Sequence, residues 1–274
     1  MVSGTVPDDN FRAVTEMLAE AAASGAQLAV LPENFAFMGR SERERLPYAE
    51  TVVSQPTQEQ PMQALLQQQA RHNGLWLIGG TVPVTSAEHD RVYSAMLVYA
   101  PDGRLVARYD KIHLFDVDVP AGGPSYRESQ STVAGDSAVV CAGAGTQIGL
   151  SICYDLRFPE LFRTMTMAGT EVFALGSAFT ATTGAAHWEP LVRTRAIENQ
   201  AAVIAACQGG EHDGGRETFG RTMIVDGWGT ILAMREQGEG VIVADIDLAA
   251  QRQLRKTFPV LEHRRAIEVK KTHD

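Results

Sequence analysis

The sequence predicts an α/β protein in which two layers of sheet are covered by helices. Three observations carry this expectation. Short apolar runs rich in β-branched residues, such as Thr146–Ile152, read as buried strands. Apolar residues spaced three and four apart, as at Phe11, Val14, Leu18 and Ala21, read as a helix with one buried face. Hairpin turns at Asp102-Gly103 and Asp226-Gly227 interrupt any steady β-α alternation, so a single doubly wound sheet is the weaker expectation. The chain also lacks a Gly-x-Gly-x-x-Gly run, which argues against a dinucleotide site.

Taken in order, Asp8, Asp9 and Asn10 open the first helix, which ends near Gly25. Gln27–Leu31 then reads as a buried strand leading to Pro32 and Glu33. Glu33 therefore stands at the carboxyl end of a strand, where α/β enzymes gather functional groups, although a surface loop acid would look the same. Ser41–Arg45 is polar and turn-like, and the polar loop Gln55–Pro61 enters a helix over Met62–His72. Leu75–Val82 is a strand broken by Gly79 and Gly80, and Val92–Tyr99 pairs with Leu105–Tyr109 through the turn Pro101-Asp102-Gly103. Lys111 follows among apolar neighbours, which is unusual because lysine is seldom buried without a partner. His113 reads as a hydrogen-bonded core histidine. The loop Val117–Ser131, with Pro120, Gly122, Gly123 and Pro124, is long for a compact domain, and such loops are more often functional than not.

The strand Thr146–Ile152 ends at Cys153, after which Asp155 can cap a helix and Pro159 suits its first turn. A thiol on such a turn faces free N–H groups that favour the thiolate; the plain alternative is a small buried hydrophobe. A strand over Glu171–Leu175 ends in Gly176-Ser177-Ala178-Phe179, and a helix over Ala186–Ile197 carries His187, Trp188 and Arg193. Ala201–Ala206 is a strand, Gln208–Thr218 a Gly-rich polar loop, and Met223–Val225, Ile231–Met234 and Val241–Ile246 a further antiparallel set. A helix over Leu248–Thr257 closes the globular part. No linker divides the chain, so residues 1–266 are expected to form one domain, followed by a polar tail over 267–274.

Hydrophobic content of 45% and charged content of 21% over 274 residues are ordinary for a globular protein. A net charge of -9 argues against nucleic-acid or anionic-membrane partners. The basic residues His263, Arg264, Arg265, Lys270 and Lys271 read as a solvated tail. Three cysteines, Cys141, Cys153 and Cys207, without CxxC pairs suit a reducing compartment, so a cytoplasmic location is expected. Seven scattered histidines offer no metal-type spacing, so no metal or cofactor is expected. No apolar run reaches the roughly 18 residues of a membrane span, and no secretory signal opens the chain.

Glu33, Lys111 and Cys153 each end a buried or half-buried stretch, and around them the chain resembles the nitrilase superfamily of carbon–nitrogen hydrolases. The motifs are Leu31-Pro32-Glu33-Asn34, Tyr109-Asp110-Lys111-Ile112-His113-Leu114, Tyr126-Arg127-Glu128-Ser129 and Gly149 to Glu160 around Cys153. Further matches stand at Gly176–Phe179, His187-Trp188-Glu189, Arg195–Gln200 and His263–Arg265, so the resemblance runs from about residue 5 to 266. It implies an α-β-β-α sandwich, paired into dimers or larger homo-oligomers. It also implies roles: Cys153 as nucleophile on an amide carbonyl and Glu33 as general base. Lys111 and the backbone N–H of Tyr154 would hold the oxyanion, and Glu128 would position Lys111 or the substrate.

Within the superfamily the resemblance is to the branch of deaminated glutathione amidases and ω-amidases, carried by Thr183–Glu189 and, for the first, by Gln208-Gly209, His212 and Arg216. It implies hydrolysis of deaminated glutathione to 2-oxoglutarate and cysteinylglycine through a cysteine thioester. 2-Oxoglutaramate or 2-oxosuccinamate would be the alternative substrates, and an inactive binding protein on this fold the alternative of another class. Ser177, Phe179, His187, Arg157 and Arg216 are the expected substrate-binding residues. The two arginines are the candidates for the substrate carboxylate, though Arg157 also suits a salt bridge within the scaffold. Gly220-Arg221-Thr222 departs from the family's usual Gly-His-Ser. Members of the family normally begin with an apolar strand before the equivalent of Val2-Ser3-Gly4, so Met1 looks like an internal methionine and that first strand is expected to be missing here.

Overall fold

The computed structural model describes residues 1–119 and 124–271; Pro120, Gly122 and Gly123 of the long loop, and residues 272–274 of the tail, lie outside the described residues. Helix α1 (Pro7–Ala23) begins on a proline, whose missing N–H costs nothing in a first turn. Strand β1 (Leu28–Val30) follows, then a 3₁₀ turn over Glu42–Tyr48 where the sequence suggests only a polar turn. Helix α2 (Pro61–Asn73) starts on Pro61 and stops at Gly74, which takes the left-handed conformation. Next come β2 (Trp76–Ile78), β3 (Val82–Thr85), β4 (Val92–Tyr99), β5 (Leu105–Asp110), the ribbon β6 (Asp116–Asp118) and β7 (Ser125–Arg127), and β8 (Thr132–Val133). The second half has β9 (Val140–Gly143), β10 (Thr146–Ile152), α3 (Pro159–Met167), β11 (Val172–Ser177), α4 (Ala181–Asn199) and β12 (Ala202–Cys207). A small ribbon of β13 (Gly209–Glu211) and β14 (Glu217–Phe219) precedes β15 (Thr222–Val225), β16 (Ile231–Arg235) and α5 (Leu248–Thr257).

Two six-stranded sheets result. The first runs β1-β2-β4-β3, with β5 and β8 also on β4; the second runs β16-β15-β12-β11-β10-β9. Alternation along β4 separates the layers: Met96 and Val98 join the core shared with β10 and β11, whereas Ala95, Leu97 and Tyr99 pack with α1 and α2. On the far side α3 and α4 contribute Phe162, Met165, Trp188 and Val192. Helices, sheet, sheet and helices stack in the expected α-β-β-α order.

The strand expected over Leu75–Val82 is two strands on one edge of β4. Gly80 causes the break: its φ is +49°, and a Cβ there would stand 2.1 Å from the Pro32 carbonyl oxygen. That close approach fixes the loop carrying Glu33. Three further differences have physical reasons. The Gly143-Ala144-Gly145 boundary is the turn of a hairpin between β9 and β10, with positive φ at Ala144 and Gly145. Helix α4 starts at Ala181 rather than Ala186 because Gly184, a weak helix former, lets the helix pack on Phe219, where a Cβ would meet the ring carbon Cγ at 2.3 Å. Finally, Val241–Ile246 is not a strand, since among the described residues no strand pairs with it. It flanks, with Leu28, Val30, Ile204 and Ala206, a groove of about 630 Å³ beside the free edge of β1.

Among the described residues no helix is long and apolar enough to cross a membrane. Residues 262–271, with the basic cluster, are exposed.

Candidate active site

The strands β10, β11 and β12 are parallel, so their carboxyl ends share one rim of the second sheet. Cys153, Ala178 and Gln208 follow those three strands directly or by one residue. Glu33 comes from the end of β1 and Lys111 from the end of β5, on the facing sheet. All three residues singled out at strand ends are buried: Glu33 is 4%, Lys111 2% and Cys153 8% exposed.

Lys111 is held on two sides. Its Nζ lies 2.8 Å from Glu33 Oε1 and 2.9 and 3.1 Å from the two oxygens of Glu128. Burial opposes the ammonium charge, but Glu128, Glu33 and Cys153 outweigh it and push the lysine well above its ordinary pKa. The other oxygen of Glu33 accepts the Ala178 N–H at 2.9 Å, and the Glu33 carbonyl accepts from Gln208 Nε2 at 3.1 Å. Glu128 opens a short 3₁₀ turn after β7, and its Oε2 also accepts the Phe115 N–H at 2.8 Å. The base of the long loop thus delivers this carboxylate to Lys111.

Cys153 has φ of +47°, a strained value for a non-glycine residue. A 3₁₀ turn over Cys153–Arg157, not an α-helix, follows it directly, and α3 begins only at Pro159. The expectation of a thiolate favoured by a helix end is corrected accordingly. Burial and the charge of Glu33 push the thiol well above its ordinary pKa, against the pull of Lys111 and the Ala178 N–H. The shift favours the neutral thiol, and Glu33 is the nearby charge that contributes most to it.

Asp155 fixes the Cys153 turn to the strand that carries Lys111. It is fully buried. Its Oδ2 accepts the Tyr109 hydroxyl at 2.6 Å and the Ile152 N–H at 2.9 Å, while Oδ1 accepts the His113 N–H at 3.1 Å and lies 2.7 Å from His113 Nδ1. Burial and the charge of Asp155 keep the Tyr109 phenol protonated far above its ordinary range. His113 has the hydrogen-bonded role expected of it, half-buried and stacked on Phe158. Asp155→Ala would leave these buried donors without an acceptor, and the expected loss is roughly 2 to 4 kcal/mol of stability in urea unfolding.

Glu33, Lys111, Glu128 and Cys153 line a narrow cleft together with Phe179, Tyr154, Arg157 and Arg216. Residues 5–256 match the carbon-nitrogen hydrolase family. The chain belongs to that family. Across 95% of its length this carbon-nitrogen hydrolase is 42% identical to the deaminated glutathione amidase of Homo sapiens, covering 80% of that protein. It is 36% identical to the enzyme of the same name from Yersinia enterocolitica, over 97% of this chain and 91% of the other. Among solved structures, the NitFhit protein of C. elegans superposes with a TM-score of 0.86 at 34% identity, over 97% of this chain and 63% of that one.

Within this carbon-nitrogen hydrolase the two candidate arginines differ. Arg216 Nη1 is 3.0 Å from Glu42 Oε1, and the guanidinium lies over the Tyr126 ring. Arg157, among the described residues, has no carboxylate partner: it lies against the rings of Phe179 and Tyr154 and 3.1 Å from His187 Nδ1. The scaffold salt bridge considered for it is absent among the described residues. Ser177 and His187 do not line the cleft. Ser177 is fully buried in β11, and the earlier start of α4 carries His187 past the rim to an exposed position, leaving Thr180 and Thr183 at the wall. Sequence reasoning missed these threonines, and also Asn34, Phe115 and Glu42. Arg221 is outside the cleft too, paired with Glu189 at 3.0 Å and Glu236 at 2.9 Å.

Proposed function

We propose that this carbon-nitrogen hydrolase cleaves the amide of deaminated glutathione through a thioester on Cys153, releasing cysteinylglycine and then 2-oxoglutarate. The observation that carries the reading is the Lys111 ammonium held between Glu33 and Glu128 next to a buried thiol. As the sulfur attacks the amide carbonyl, its proton passes to Glu33. The oxyanion is met by Lys111 and the Tyr154 N–H, donors fixed before the reaction starts. Glu33 gives the proton to the leaving amine, then takes one from the water that opens the thioester. Glu128 keeps Lys111 in place throughout.

Arg157 takes the 2-oxo acid carboxylate in this scheme. Its lack of a carboxylate partner supports that, and the pairing of Arg216 with Glu42 argues against the alternative. Arg157→Met is expected to raise KM by about 10- to 100-fold with a smaller change in kcat, the size of a lost charge-assisted hydrogen bond. Steady-state kinetics on deaminated glutathione checks it.

The substrate is tested by product release from a panel of 2-oxo amides. Faster turnover of 2-oxoglutaramate or 2-oxosuccinamate than of deaminated glutathione would reassign it, and inactivity on all of them would favour a binding protein. We further propose a cytoplasmic homo-oligomer. Free Cys141, Cys153 and Cys207 support a reducing compartment, and the exposed apolar side chains of Met167, Ile197, Trp228 and Phe258 support a subunit contact.

A further inference from the structure

Lys111 faces two carboxylates, so the group formed with Glu33 and Glu128 carries one excess negative charge in a place shielded from water. Such an excess opposes every step that puts negative charge on the Cys153 sulfur or the carbonyl oxygen. The structure places a further cation where it can balance that excess. Arg45, on the 3₁₀ turn after β1, is 7% exposed, and its Nη2 lies 3.7 Å from Glu128 Oε1 and 3.2 Å from Glu42 Oε2. The same nitrogen donates to the Thr132 hydroxyl, which fixes the guanidinium to β8. Glu42 in turn reaches Arg216. Signs therefore alternate from the buried Glu33 through Lys111, Glu128 and Arg45 to the half-buried Glu42 and Arg216.

We infer that Arg45 is a positioning residue for the reaction: its guanidinium, shared between Glu128 and Glu42, balances the negative charge around Lys111 and fixes the carboxylate that holds it. This rests on the reading of Glu33 as general base and Cys153 as nucleophile. Three carboxylates, Glu33, Glu128 and Glu42, then face three cations, Lys111, Arg45 and Arg216. Arg157 stands apart against Tyr154 and Phe179, Tyr126 packs under Arg216, and burial pushes the thiols of Cys153 and Cys207 up, so both are protonated at rest in this scheme. Burial alone would hinder the Glu42 charge, but Arg45, Arg216 and Lys111 hold its carboxyl down at about 2, so Glu42 keeps its charge through the working range.

The sign of each substitution follows. Without the Arg45 charge the cluster becomes net negative, proton loss is harder, and the acid limb of reactivity moves to higher pH. Without the Glu42 charge the cluster becomes net positive and the limb moves to lower pH. A role in folding alone would not give opposite shifts.

The test compares Arg45→Gln, Glu42→Gln and Arg45→Lys with the wild type. The readouts are the pH profile of kcat/KM and, without any substrate, the pH profile of Cys153 alkylation by iodoacetamide, followed by mass spectrometry of that peptide. Arg45→Gln should move the acid limb up and Glu42→Gln should move it down, each by about one pH unit, and Arg45→Lys should restore it. Limbs that coincide with the wild type, or that move in the same direction, would overturn the inference. If Arg45→Gln does not fold, the direction of the Glu42→Gln shift decides alone. The alkylation profile separates failure of this inference from failure of the amidase reading, which would show as a wild type that alkylates but turns over no amide.

Discussion

Lys111→Met should destabilise the fold by about 3 to 5 kcal/mol and lower kcat on the order of 100- to 1000-fold. The stability loss comes from the carboxylates left behind, not from the lysine's own contacts, because Glu33 and Glu128 would remain buried without the cation between them. One of them is then expected to take up a proton in the folded protein at a pH where the unfolded chain is still ionised. A folded-state carboxyl raised in this way binds more protons than the unfolded one, so the loss should be largest at and above neutral pH and shrink toward about pH 5. Urea unfolding of wild type and variant at two pH values measures it. An equal loss at both would mean that the ammonium is not what balances these carboxylates.

Cys153→Ala should behave in the opposite manner, folding within roughly 1 kcal/mol of the wild type while losing turnover by a factor on the order of 10⁴ or more. The thiol is neutral at rest, so no charge is left unpaired when it goes. Alanine inherits the φ of +47° with no better accommodation than cysteine, which leaves the turn and the Asp155 bonds as they are. Calorimetry together with steady-state turnover separates the two effects. Unchanged turnover would remove the sulfur from the reaction, and a large loss of stability would make Cys153 a core residue.

The two expectations differ because one residue holds charge and the other, in the proposed mechanism, is the nucleophile, and the sequence marks each by a different signal. Lys111 was visible as a cation inside an apolar stretch, and Cys153 and Glu33 as polar groups where apolar strands stop. Glu42 and Arg45 gave no such signal. Their polar turn reads like any solvated loop, and the partners that bury them, Glu128, Thr132 and Arg216, lie far along the chain. Arg157 was ambiguous for the same reason, since whether it had a carboxylate partner depended on tertiary contacts. Local patterning also misplaced the start of α4, where two threonines and a glycine argue against a helix until packing on Phe219 decides otherwise. It overestimated Val241–Ile246, whose alternation suits a strand but whose backbone has no neighbouring strand to pair with.

Asp155 shows how far a local reading reaches. Expected to cap the following helix, it instead lies inside the 3₁₀ turn and accepts the Ile152 N–H, while α3 starts after Phe158 without a side-chain cap. Its bonds to Tyr109 and His113, which set the Cys153 turn against the strand leading to Lys111, join segments more than forty positions apart.

The measurement that bears most directly on the whole account is rapid-quench mass spectrometry of the protein mixed with deaminated glutathione. A 2-oxoglutaryl adduct should form on the Cys153 peptide, with cysteinylglycine released before 2-oxoglutarate, and both should vanish in Cys153→Ala. Release of the two products together, with no adduct at any time, would contradict the thioester mechanism and the roles given to Glu33 and Lys111.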